Sequence, residues 1–431
     1  MRDTILENGL TVVAAPNSSI PVATIEIAFR GGAQTQLAED DEGIPHILEH
    51  MLFKSYERSG RDWWSEKAGE LDAIYNGTTG EETVTYYLTL PSENLDRGIE
   101  LLGELVQSTR FTDDALTEEK RVVSSELQRR VSNPYFVAGQ MAEMALWGPA
   151  FRRKNPIGNM LTIMGASADR LEAHYDLYYV PNNAALIVTG DVTASQVFAS
   201  ASEHLEGWDR APDPFEALPR LSMAPIAVDS IFVVPAPASD VTFMIKWLGA
   251  EGREDPSAGL SGALFSELVN LPTSGTQRRL VDTGLFTFVE LGTTRVRGVG
   301  SIDLTARTTP ALVGAAAEAL RLELQALVSD DYFTDEDLEA ARKRLYVASA
   351  LASQTSDGLA HALAAAWSGG RLDQFLDPSG SLSSQTAEDV RGYIDRYMAG
   401  KKKIVTLVMS NDDLTREMNT LVEAIGRWRT P

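Results

Sequence analysis

Apolar and polar residues alternate at the start of the chain. From Gly9 to Phe29, the runs LTVVAAP and VATIEIAF are rich in β-branched residues and are separated by Asn17, Ser18 and Ser19, which predicts a hairpin or two adjacent strands. The pattern then changes. An acidic turn from Ala38 to Glu42 leads into GIPHILEHMLF. Pro45 suits a first helical turn and the preceding acids suit a helix N-terminus, so a helix is predicted from Ile44 to about Lys54. ETVTYYLTL predicts a strand. ENLDRGIELLGELVQS spaces its apolar residues for a helix, and Thr112 to about Val131 predicts another. DRLEAHYDLYY reads as a helix broken at Pro181, and NAALIVTGDV as a buried strand with a turn. The sum is an α+β layout.

Laying the second half on the first exposes an internal repeat. FTDDALTEEKRVVSSEL from Phe111 resembles FTDEDLEAARKRLYVAS from Phe333. VTFMIKWLGAEG followed by GLSGALFSEL resembles ATIEIAFRGGAQ followed by GIPHILEHML. Both halves are expected to be one α/β-sandwich fold, duplicated. The Pro-rich stretch RAPDPFEALPRLSMAP, from Arg210 to Pro225, is the natural boundary, giving domains at 1–215 and 216–431. The length of 431 residues also exceeds what one core supports, which is about 250–300 residues.

Composition narrows the chemistry. There are no cysteines, so disulfides and thiolate metal sites are excluded and any zinc must be held by His and carboxylate. A net charge of −23 argues against a nucleic-acid partner and fits either an acidic soluble surface or an acidic chamber favouring basic peptides. No apolar run approaches the roughly 20 residues of a bilayer span, and MRDTILENGLTVV lacks the layout of a secretory signal. The expectation is a soluble protein of the bacterial cytoplasm or, were a signal peptide removed, of the periplasm.

The candidate chemistry sits in the helix predicted from Ile44. His46 and His50 are four residues apart, so both imidazoles can reach one ion, and Glu49 lies near the same face. Catalytic zinc usually takes three protein ligands and leaves a position for water, and a neighbouring carboxylate can take that water's proton. The candidate third ligand is Glu126, 76 positions after His50. Taken alone, it reads far more readily as a solvated helix residue. Glu119, seven residues earlier, lies two turns back on almost the same face. The repeat acts as a control: Gly262, Phe265 and Ser266 fall opposite His46, Glu49 and His50, while Ala341 and Ala348 fall opposite Glu119 and Glu126. Packing alone does not require the polar set.

These residues resemble the pitrilysin and insulysin family of inverzincin metallopeptidases, especially its two-chain branch with mitochondrial processing peptidase and bacterial relatives. GIPHILEHMLFKS, YNGTTGEETVTYY and LYYVPNNAALIVTGDV carry the likeness, which covers almost the whole chain. The resemblance implies one zinc ion on His46, His50 and Glu126, Glu49 as general base, and Glu119 as electrostatic support for the ligands. Asn76 falls where the family meets bound peptide, with Gly77 in place of the usual Ala; an Asn-Gly turn before a strand is an equal reading. The implied architecture is half of a clamshell, closed by a second chain, in which unfolded peptides add a strand to a sheet edge.

One departure bears on partners. Family members carry an Arg and a Tyr in the last domain that contact substrate. Anchoring TSGTQRRLVDTGLFTF on LVDTGL puts Gly275 and Thr287 at those positions, with Arg278 and Arg279 nearby but displaced. The expectation is therefore the zinc-bearing subunit of a heterodimer, an endopeptidase whose partner brings the missing pair. A self-sufficient homodimer, a non-catalytic assembly subunit and a small-molecule zinc amidase are the competing readings.

Overall fold

The computed structural model describes residues 1–54, 63–107, 109–215, 217–221, 225–253 and 255–428. Ser55 of the motif block and parts of the stretch from 210 to 225 lie outside the described residues.

Among the described residues, eleven strands form two sheets. They are β1 (Arg2–Ile5), β2 (Thr11–Pro16), β3 (Val22–Arg30), β4 (Ile74–Thr79), β5 (Thr83–Pro91) and β6 (Ala184–Gly190), then β7 (Ser230–Pro235), β8 (Val241–Gly249), β9 (Phe288–Val296), β10 (Val299–Thr308) and β11 (Ile404–Met409). The first sheet runs β1-β2-β6-β3-β5-β4 and the second β7-β11-β8-β10-β9. Leaving out β1, the two orders are the same, down to the single parallel pair in each, β2 with β6 and β7 with β11. The duplication read from sequence is thus a duplication of topology.

One expectation is corrected. β2 and β3 are neither a hairpin nor neighbours, because β6 lies between them, parallel to β2 and antiparallel to β3. All seven residues of β6 are buried, so this strand is apolar enough for the centre of the sheet and displaces the sequence-local pairing.

The described residues form two compact units that are discontinuous in sequence. One comprises 1–128, 152–219 and 350–375; the other comprises 129–151, 220–349 and 376–431. In the first unit, helix Ser356–Ser368 lays Ala360, Leu363, Ala364 and Trp367 on Val13, Ala15, Ala28, Ala185 and Ile187. It also brings His361 Nδ1 within 2.6 Å of Glu26 Oε2, a carboxylate on β3 that is buried inside the sheet–helix layer. In the second unit, helix Pro134–Trp147 packs in the corresponding way, Ala138 against Val234 and Val408, and Ala142 and Leu146 in a cluster with Ile404. The core of the second unit is built around Phe243, Phe265 and Phe286.

Candidate metal centre

The helix bearing the two histidines spans Ile44–Leu52 and is set by its first turn. Gly43 caps it with φ of 87°, and a Cβ there would lie 2.9 Å from the Cα of Gly158, so two glycine backbones cross in contact. Gly43 N donates to Gln36 Oε1 at 2.5 Å, and Glu42 accepts from the side chains of Asn155 and Asn159 at 2.7 and 2.8 Å. Ile44, Ile47, Leu48, Met51 and Leu52 are buried. That stripe orients the rest of the helix and leaves His46, Glu49 and His50 on the adjoining face.

The second element is helix Asp113–Val131, whose buried positions are Leu116, Glu119, Val123 and Leu127. A carboxylate therefore occupies one place of an otherwise apolar stripe. Glu119 Oε2 accepts from His50 Nδ1 at 3.2 Å, and Lys54 Nζ approaches the other oxygen at 3.8 Å. With its Nδ1 proton engaged, the neutral imidazole of His50 presents a lone pair at Nε2.

Glu126 stands almost two turns further along this helix. Its Oε2 is 3.6 Å from His46 Nε2 and 3.7 Å from His50 Nε2, and one ligand atom from each of the three residues lies within 4.8 Å of the others. Those separations exceed ordinary hydrogen bonds. They match a shared cation: tetrahedral zinc with bonds of about 2.0–2.2 Å holds its ligand atoms roughly 3.3–3.6 Å apart. The two imidazole planes are nearly perpendicular at 88°, with ring centres 4.9 Å apart, so they approach one point from different directions. The donor set of two imidazoles and one carboxylate fits zinc.

Electrostatics follow from burial. Burial raises the pKa of Glu49, which is 7% exposed, against the opposing pull of a hydrogen bond from Thr79 and the field of His50. Burial alone would lower His50, but the Glu119 hydrogen bond and the charges of Glu49, Glu119 and Glu126 outweigh it and shift the group upward. A buried carboxylate with a raised pKa beside two imidazoles and a second carboxylate is suited to general acid–base chemistry.

Asn76 lies on β4, an edge strand of the first sheet. Its side chain is exposed and faces away from Glu49, on the opposite side of the strand from Gly77. Gly275 in the second unit lies against the guanidinium of Arg279, which Glu323 holds through two hydrogen bonds of 2.7 and 2.9 Å; Thr287 Oγ1 donates to Arg307 O. Where the repeat places the counterparts of His46 and Glu49, Gly262 packs against the Tyr393 ring and Phe265 is fully buried. Thr79 was not marked in the sequence reading, since a strand threonine carries no chemical signature until the fold sets it opposite a carboxylate.

Two family models match successive parts of the chain. Residues 11–161 match the family described as Insulinase (Peptidase family M16), and residues 165–345 match the Peptidase M16 inactive domain. The chain belongs to the insulinase family. Among insulinase relatives, the zinc protease PqqE of Helicobacter pylori is 28% identical over 244 residues, covering 52% of each chain. The probable mitochondrial-processing peptidase subunit beta of Arabidopsis thaliana is 24% identical over 204 residues, 46% of this chain and 37% of the relative. The chain spans about half the length of the first of these relatives. A crystal structure of a protease from Helicobacter pylori has the same fold, with a TM-score of 0.80 at 20% identity over 95% of this chain and 99% of that one. The periplasmic protease PqqL from Escherichia coli aligns with a TM-score of 0.79 at 15% identity, over 99% of this chain and 50% of that one. No helix among the described residues is long and apolar enough to cross a membrane.

Proposed function

We propose that this chain is a zinc-dependent endopeptidase in which His46, His50 and Glu126 hold the metal and Glu49 is the general base. The observation that carries the reading is the placement of Glu126 Oε2 at 3.6 and 3.7 Å from the two Nε2 atoms, beside a buried carboxylate with a raised pKa. When bound, zinc supplies Lewis-acid chemistry, polarising a carbonyl and making water a nucleophile near neutral pH. Glu49 takes the proton of the attacking water and returns it to the leaving amine. Glu119 holds His50 by Nδ1, so that Nε2 is the nitrogen turned to the metal.

The substrate is an extended, unfolded peptide that adds a strand to the free edge of β4, in the neighbourhood of Asn76. Main-chain pairing of this kind reads backbone rather than sequence. The partner is a second, homologous chain, since Gly275 and Thr287 offer neither a guanidinium nor a phenol at the positions where the resemblance expects them. Losing one donor that stabilises a developing oxyanion typically costs about 10²–10³ in rate.

Glu49→Gln tests the core of the reading. The variant is expected to keep one zinc per chain and to lose cleavage of a long peptide by about 10²–10⁴. Cleavage at the wild-type rate would sink the assignment of Glu49. Full turnover by the isolated chain, shown monomeric by light scattering, would sink the two-chain reading and leave the zinc assignment standing.

A further inference from the structure

We infer that Thr79 is a positioning residue for Glu49, its hydroxyl holding one carboxylate oxygen so that the other is presented to substrate. The inference rests on the reading of Glu49 as the general base. Thr79 Oγ1 donates to Glu49 Oε2 at 2.8 Å. Glu49 is buried, so water cannot readily take over this bond. Its second oxygen, Oε1, remains for proton transfer.

Strand parity explains why Thr79 reaches the site. Side chains alternate along a strand, so Tyr75, Gly77 and Thr79 share one face of β4 and Ile74, Asn76 and Thr78 the other. Tyr75 packs its ring 5.7 Å from Phe53, just beyond the end of the histidine-bearing helix. At Gly77 the strand comes so close that a Cβ would lie 2.9 Å from Glu49 Oε1 and 3.0 Å from its Cγ. The backbone of β4 is thus one wall of the Glu49 site, and Thr79, two residues on, is the side chain that can reach the carboxylate along it. On the other face, Thr78 pairs with Thr85 at 3.0 Å instead.

The hydroxyl is itself fixed. Thr79 ends β4, and the turn after it is clasped by backbone bonds from Gly31, Ala33 and Gln34 to the carbonyls of Glu82, Gly80 and Glu81, at 2.8, 3.0 and 2.9 Å. A β-branched residue with few side-chain rotamers, held at a clasped strand end, can orient a carboxylate with little entropy left to lose.

The duplicated sheet supplies a control. Ile27 pairs with Tyr86, which pairs with Gly77; its counterpart Ile245 pairs with Leu304, which pairs with Leu291. Where Phe265 replaces Glu49, a fully buried Leu291 therefore replaces Gly77. The close, side-chain-free approach of the strand goes with the carboxylate.

The test uses the zinc-loaded chain, purified from its source with any subunit that accompanies it, and a long unfolded peptide. Thr79→Val is expected to lower kcat by about 10- to 100-fold with KM nearly unchanged, because the base is misplaced while binding is intact. Thr79→Ser restores kcat. All variants retain one zinc per chain. A second readout needs no activity: in the metal-free chain, Thr79→Val lowers the unfolding midpoint, and the shift shrinks in a Glu49→Ala background because the partner is gone. Unchanged kcat in Thr79→Val, a failed rescue by Thr79→Ser, or additive shifts of the midpoint overturns the inference. Wild-type cleavage by Glu49→Gln instead overturns the general-base reading, and the midpoint shifts alone then decide whether Thr79 and Glu49 are coupled.

Discussion

At the scale of single residues, the site is a set of carboxylates given different tasks by their surroundings. Glu126 meets two imidazole nitrogens, Glu119 a third, and Glu49 a hydroxyl in a nearly dry pocket. Replacing Glu126 with Gln is expected to abolish stoichiometric zinc, measured by atomic absorption after dialysis. Glu119→Gln should keep the metal with an affinity reduced by about 10- to 100-fold, since only the orientation of His50 is loosened; an unchanged affinity in competition with a chelator would show Glu119 to be mere packing. A half-buried histidine makes the fold sensitive to acid. Burial holds His174 at a pKa of about 4, against the opposing field of Asp41. Its folded value lies below the unfolded value of about 6.5, so the folded chain binds fewer protons, and the stability this represents is complete above pH 6.5 and lost as pH falls toward 4. The metal-free chain should therefore lose on the order of 3 kcal/mol across that interval, and His174→Gln should flatten that part of the curve in urea titrations. The histidine pair and Glu49 stand out in the sequence by their spacing, and Glu119 and Glu126 by the family resemblance and the alanines opposite them in the repeat; the fold brings these five side chains together, and their roles are the proposal made above. Thr79 does not stand out, because its task depends on which face of a strand points at the helix.

At the scale of elements, the helices were legible where an apolar stripe recurs and the strand order was not. The predicted helix from Ile44 is observed as Ile44–Leu52, and the one from Thr112 as Asp113–Val131. The separation of β2 from β3 by β6 escaped prediction, since a strand 150 residues downstream competes with the local partner and wins through burial on both faces. The start of the histidine helix shows how backbone chemistry serves the site. Gly43 carries a left-handed φ of 87° and touches Gly158 backbone to backbone, so Gly43→Ala is doubly disfavoured. The expected result is a loss of about 1–3 kcal/mol in stability together with weaker zinc retention, as the first turn shifts both imidazoles. Stability falling while zinc affinity stays at the wild-type value would show that this turn supports the fold and not the metal.

At the scale of the whole molecule, the repeat was legible as matched segments, and the exchange of helices between its halves was not. Matched segments say which elements correspond; they do not say which sheet each helix covers. Residues 350–375 complete the first unit although they lie far into the second half of the sequence, and residues 129–151 complete the second although they lie in the first. The consequence is that neither half should fold when cut at the linker. A fragment of residues 1–219 lacks helix Ser356–Ser368, which leaves Val13, Ala15, Ala28, Ala185 and Ile187 without the Leu363 and Trp367 cover that buries them. Each large apolar side chain so stranded forfeits about 1.5–3 kcal/mol, against a total domain stability of only about 5–15 kcal/mol. The fragment is therefore expected to show no cooperative thermal transition by circular dichroism and to bind a hydrophobic dye. Co-expression with residues 220–431 should restore both the transition and the zinc, because the missing helix then arrives on the other chain. A fragment of residues 1–219 that melts cooperatively and binds zinc alone would show that the cover contributes less than its burial implies.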